Sequence, residues 1–300
     1  MIGGTLEFVV RTVAVCRASL GSPGMKLTEP SRSDPPGSSA PHTPDAQDNL
    51  PTVVAIALVA YVIADIAHHG FGHGLMCWLQ GGQIELLSSV FVRCSRTELA
   101  IDLAGPFANL VLGVIAALAL RATRRMSVST ELFCILLAGF NLMWFSIQLV
   151  FCVLTDSDDW AWLLHEFNGA PTARYSLAGV GVLVYVMAAR YLRTRMAHFA
   201  RTPGRARLIL FAAWLSAGAI ASATAVFDPH GPGTVWHKAI PQSLLLSIGL
   251  LSLARARQIG PPPEGCPAIS ISRGWLTAAV VLSALSIMFL GPGIGLKRPW

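Results

Sequence analysis

A succession of apolar blocks, each roughly 16 to 29 residues long and separated by short polar connections, constrains this chain more than any other feature. A helix needs about 20 such residues to cross the hydrocarbon core of a bilayer, and these blocks lack the one-sided stripe of a helix with a wet face. Composition agrees: 53% of the residues are hydrophobic and 13% charged, too few charges to clothe a soluble surface of this size. The expected fold class is therefore all-α, a polytopic transmembrane helical bundle. Its aliphatic residues face lipid or pack helices together and say nothing about function.

Seven spans are expected. The first starts after Pro51 and runs through the histidine-rich segment toward Leu79. The others lie near Leu99–Leu120, Leu132–Leu154, Ala173–Ala189, Leu208–Val226, Ile240–Ala254 and Trp275–Leu290. Residues 1–49 read as a disordered tail, because 21–49 are rich in Ser, Pro, Gly and Asp with little to bury. The apolar run from Leu6 to Val15 is short and carries Glu7 and Arg11; Met25 is an equally good start, and a signal peptide is the weaker alternative, since no charged segment precedes the run.

Placing the tail in the cytoplasm puts 16 of the 22 Lys and Arg residues on the cytoplasmic side, in the tail and at 121–131, 190–207 and 254–274. The positive-inside rule favours that orientation, with a bacterial inner membrane the membrane most compatible with the Ala- and Arg-rich composition. The basic residues are dispersed between apolar blocks, so the net charge of +6 does not point to nucleic acid. In this orientation His68, His69, His73, His165, His230 and His237 share the outer side with Asp156, Asp158 and Asp159. Cys77 and Cys94 lie there too, where either a disulfide or two free thiols would persist; no C-x-x-C pair suggests a zinc ribbon.

Ionisable residues within a membrane helix are functional candidates by default. Asp65, His69 and His73 are spaced four and four, which puts successive side chains about 40° apart on one helical face. Imidazoles at that spacing hold zinc, and a carboxylate one turn earlier either ligates or fixes a ring tautomer. His68 is also within reach of Asp65. The bland alternative is a wet helix end, made less comfortable by Gly70, Gly72 and Gly74 interleaved with three histidines.

The stretch A-H-H-G-F-G-H-G-L-M-C-W-L-Q-G-G at 67–82, followed by L-A-G-P-F-A-N-L-V-L-G at 103–113, resembles the core of the site-2 protease family of intramembrane zinc metallopeptidases. The resemblance spans about residues 55 to 160 in motif order. It implies a metallopeptidase-like three-helix core over 50–165, additional transmembrane helices over 166–300, a Zn2+ cofactor, and hydrolysis of peptide bonds in a membrane-protein substrate. It also implies two histidine ligands and a later aspartate, drawn from T-D-S-D-D-W at 155–160: Asp159 first, with Asp158 and Asp156 as alternates. A solvated acidic turn is the competing reading of that segment.

Two registers remain open. Regular helical geometry pairs His69 with His73 and puts Gly70 where the family has its general-base glutamate. A register of the H-E-G-x-G-H kind pairs His68 with His73 and puts His69 in the glutamate's place. Its ligands, five apart, stand about 140° from each other in a regular helix and require a π-bulge. Neither register supplies the glutamate, so His69 is the expected catalytic substitute, with Glu85, Glu98 or Glu166 as remoter possibilities. Asn109 is a buried polar group more suited to packing than to chemistry. Three functions follow: a metallopeptidase, a non-catalytic relative that binds membrane proteins, and a small metal or proton transporter, which would show flux in vesicles.

Overall fold

A computed structural model describes residues 47–122, 126–166, 168–199, 203–255 and 268–296. The expected disordered tail falls outside these residues up to position 46. Its last three residues are structured: Asp48 makes a two-pronged ion pair with Arg205 and accepts from the Ile269 backbone N–H. Asn49 caps the first helix by accepting from the Thr52 N–H at 3.0 Å.

Helix α1 covers Leu50–Ile66, runs on without a break through a π-helical segment, Ala67–Gly74, and ends in α2, Leu75–Leu79. Helices α3 (Leu99–Ala122), α4 (Val128–Thr155), the short α5 (Ala161–Glu166), α6 (Pro171–Met196), α7 (Pro203–Ala225) and α8 (Arg273–Leu285) follow. The chain is an integral membrane protein, an all-α bundle in which, among the described residues, six helical segments are long and apolar enough to cross a bilayer. The remaining expected span, Ile240–Ala254, is helical but irregular: π turns at Val235–Ala239 and Pro241–Leu245, then 3-10 turns over Ile248–Arg255. Pro241 removes a backbone donor, and the hydroxyls of Ser243 and Ser247 bond the carbonyls of Ala239 and Ser243, competition that distorts a regular ladder.

The central helix is α4, buried along most of its length against α1, α3 and α6. Trp144 is its largest buried side chain, its ring nearly parallel to that of Tyr61, 6.3 Å away, and to that of His68, 4.7 Å away. Helices α7 and α8 pack on α1 from other sides. The α1–π–α2 rod thus runs through the middle of the bundle, which is why its histidines are buried.

A small antiparallel sheet, not anticipated from the sequence, lies between α2 and α3. Strands β1 (Ile84–Leu87) and β2 (Val92–Cys94) form a hairpin, and β3 (Ile294–Leu296) adds on the far side of β1, giving the order β2-β1-β3. A Cys77–Cys94 disulfide ties α2 to β2. Gly82 belongs beside it, because a Cβ there would come within 2.8 Å of both sulfurs. Replacing both cysteines by serine should cost about 2–4 kcal/mol of stability, the usual worth of such a cross-link. Thermal unfolding of wild type with and without reductant, beside the double variant, measures it; an unchanged midpoint throughout would remove the bond from the account.

Candidate metal centre

The π segment sets the site. Its Leu75 N–H donates to the Gly70 carbonyl, five residues back, so residues five apart come round to one face. His68 and His73 therefore converge, with their Nε2 atoms 3.2 Å apart. The α-helical pairing of His69 with His73 is not what forms. The His69 Nδ1 lies instead 3.2 Å from the Asp65 carboxylate and 3.3 Å from the Asp65 carbonyl. Asp65 thus serves His69 rather than His68.

The third group is Asp159. Its Oδ2 lies 3.1 Å from the His68 Nε2 and 3.4 Å from the His73 Nε2, and ligand atoms of the three residues all fall within 4.8 Å of one another. The chain reaches this point through a turn in which Asp156 and Asp158 adopt left-handed backbone, φ 54° and 77°, conformations that Asp tolerates better than most residues. That turn separates the three aspartates. Asp156 pairs with Arg174 at 2.9 Å and stands away from the cluster. Asp158 is held with Asp159 by the Gln148 amide, which donates to both carboxylates at 2.9 and 2.7 Å. Burial opposes the charge on both, but His73 and His68 hold the Asp159 carboxyl well below the usual range. Burial and the neighbouring Asp159 charge push Asp158 up to about 6.

The second motif explains itself as space. A Cβ on Gly72 would come within 2.5 Å of the Gly105 Cα, and a Cβ on Gly105 would collide with the His73 ring. The two glycines let the π segment and α3 cross with their backbones in contact, which seats the His73 Nδ1 2.7 Å from the Ile101 carbonyl. Asn109, two turns further along α3 by residue count from Ile101, is buried with neither amide atom paired among the described residues and makes no contact with the cluster.

The donor set fits a divalent cation. The Ile101 carbonyl can only accept, so His73 carries a proton on Nδ1 and turns its Nε2 toward the His68 Nε2 and the Asp159 carboxylate. Two ring nitrogens and a carboxylate that converge in this way are matched either by a proton on a ring nitrogen or by a metal ion that replaces it. Among the described residues the buried His68 Nδ1 has no hydrogen-bond partner, nor has the Gln148 Oε1. Two imidazole nitrogens and a carboxylate oxygen form a familiar zinc ligand set with a position left for substrate or water.

The cluster borders a cavity of about 220 Å3 whose walls include His69, Asp102, Lys238 and Gln242, with Val90, Phe91 and Val92 of the hairpin. Asp102, Gln148 and Lys238 escaped the sequence reading, although Asp102, a carboxylate inside the expected span Leu99–Leu120, and Gln148, a polar side chain in mid-span, each carried a signal that would have found it. His165 and His237 are exposed, and His230 pairs with Asp228 and Arg93 rather than with the cluster. No family model matches the chain, and no match is found among curated proteins or solved structures.

Proposed function

We propose that this protein is a membrane-embedded zinc metallopeptidase-like protein in which His68, His73 and Asp159 hold the metal. The observation that carries the reading is the convergence of the two Nε2 atoms and the Asp159 carboxylate, with the His73 tautomer fixed from behind by the Ile101 carbonyl. The resemblance in the two motifs supplies the reaction class. A zinc ion there contributes Lewis acidity, acidifying water and polarising a peptide carbonyl. The protein's own groups do the rest. Gln148 holds the Asp159 carboxylate in place, and Asp65 fixes the His69 ring through Nδ1, leaving its Nε2 as the nitrogen available to take a proton at the cavity. The substrate is a peptide segment of a membrane protein, drawn into a site at one membrane face.

That face is proposed to be the outer one, with the N-terminus in the cytoplasm of a bacterial cell. The Lys and Arg distribution supports it, as does a disulfide on the same face, since such bonds persist in oxidising compartments. A binding-only role is the second reading, and it rests on one observation: among the described residues no glutamate lines the cavity.

Metal analysis by mass spectrometry on detergent-purified protein tests the site. About one zinc per chain is expected, with affinity at least tenfold weaker in Asp159→Ala. Folded wild type that binds no metal would end the metallopeptidase reading. Zinc without cleavage of any transmembrane peptide would favour the binding role.

A further inference from the structure

A second groove lies toward the opposite membrane face, between α3, α4 and α6. It has a volume of about 310 Å3 and is lined by Leu110, Val114, Leu118, Leu142, Val184 and Met187. Along α3 its residues continue to Arg121, a length of about 16 Å at the rise of an α-helix. Along α6 it continues to Tyr191. The groove is thus apolar for its length and cationic at one end.

That end is built rather than incidental. The Tyr191 hydroxyl donates to the Ala117 carbonyl at 2.7 Å, which fixes the ring between α3 and α6. The guanidiniums of Arg121 and Arg195 lie over this ring, 5.1 and 5.6 Å from its centre. Neither makes an ion pair with a carboxylate among the described residues. Arg121 is exposed in the last turn of α3, and the sequence adds Arg124 and Arg125 directly after it. Two guanidiniums against one tyrosine ring with no carboxylate partner among the described residues, Arg121 itself lining the end of an apolar groove that follows the helix axes, call for an amphiphile with an anionic head and a hydrocarbon body.

We infer that this groove binds an anionic phospholipid, with an acyl chain along α3 and α6 and the phosphate at Arg121 and Arg195. The pairing of basic side chains between transmembrane helices with apolar surface below them is how anionic headgroups are selected over neutral ones. The site does not depend on the metal centre or on any catalytic role.

The test uses the full chain in detergent, titrated with phosphatidylglycerol or with phosphatidylcholine of the same acyl chains, and followed by native mass spectrometry and thermal unfolding. Phosphatidylglycerol should bind saturably and raise the unfolding midpoint while phosphatidylcholine does neither. Arg121→Gln with Arg195→Gln should weaken that binding roughly 30-fold, for two basic groups near a headgroup. Leu118→Trp, which keeps both arginines and fills the groove, should weaken it as well, and it serves should the arginine variant fail to fold. Equal binding of the two lipids, or retention by both variants, would overturn the site and leave only annular lipid. Inorganic phosphate that displaces phosphatidylglycerol at equal concentration would overturn it too, as an anion site without the groove.

Discussion

Gly105→Val should strip the metal from a chain that retains every ligand. A Cβ at position 105 collides with the Nε2 of His73 and comes within 2.7 Å of two of its ring carbons. His73 has nowhere to retreat, because its Nδ1 is tied to the Ile101 carbonyl on the same helix. Nor can the π segment back away without losing its contact at Gly72, where a Cβ would already be 2.5 Å from the Gly105 Cα. Displacing a ligand through its support costs about 10–100-fold in metal affinity, and a branched residue here should reach the upper end. Competition against a zinc chelator reads that loss, with circular dichroism confirming unchanged helicity. Gly179→Ala, where an added Cβ meets nothing within 4 Å, is the control that should retain full affinity. If Gly105→Val holds zinc as tightly as wild type, His73 is not a ligand.

This dependence shows where sequence reading succeeds and where it stops. The bundle was legible because the length and apolarity of each block are physical requirements of a bilayer, and six of the seven expected spans form helical segments long and apolar enough to cross one. Ile240–Ala254 departs because Pro241 and two serines compete locally with the helical ladder, a contest that average hydropathy does not register. The sheet was missed because its strands are three or four residues long and are completed by Ile294–Leu296, some 200 positions away in sequence.

At the site, the residue types were legible and their register was not. A four-residue spacing reads as one face only if the helix is regular. The three glycines interleaved with the histidines signal that it need not be, yet the π turn is set by how Gly72 meets Gly105, a contact between distant segments. The choice among Asp156, Asp158 and Asp159 depends on two left-handed residues in one turn, which no spacing rule foretells. Asp102 stands out in the sequence only as a carboxylate inside a span; its place at the cavity follows from the crossing of α3 with the π segment at that point.

The same register decides what His69 can do, and substituting it should separate binding from chemistry. With Nδ1 engaged by Asp65, the ring stays out of the metal cluster but remains on the cavity wall, 6.1 Å centre to centre from His73. His69→Gln should therefore keep zinc at wild-type stoichiometry while cleavage of a transmembrane model peptide falls about 10²- to 10⁴-fold, the worth of a positioned general base. Asp65→Asn should produce a smaller loss in the same direction, because it removes the carboxylate charge beside Nδ1 while the residue-65 backbone carbonyl still holds the ring. Loss of zinc in His69→Gln would instead make His69 a ligand and point back to the regular-helix register. Zinc retained with undiminished cleavage would move the proton transfer elsewhere, and Asp102, the carboxylate across the same cavity, would be the next group to replace. On the proposed reading, a peptidase without the glutamate needs one of these two groups to accept the proton and return it to the leaving amine, so losing both should abolish turnover with zinc still bound.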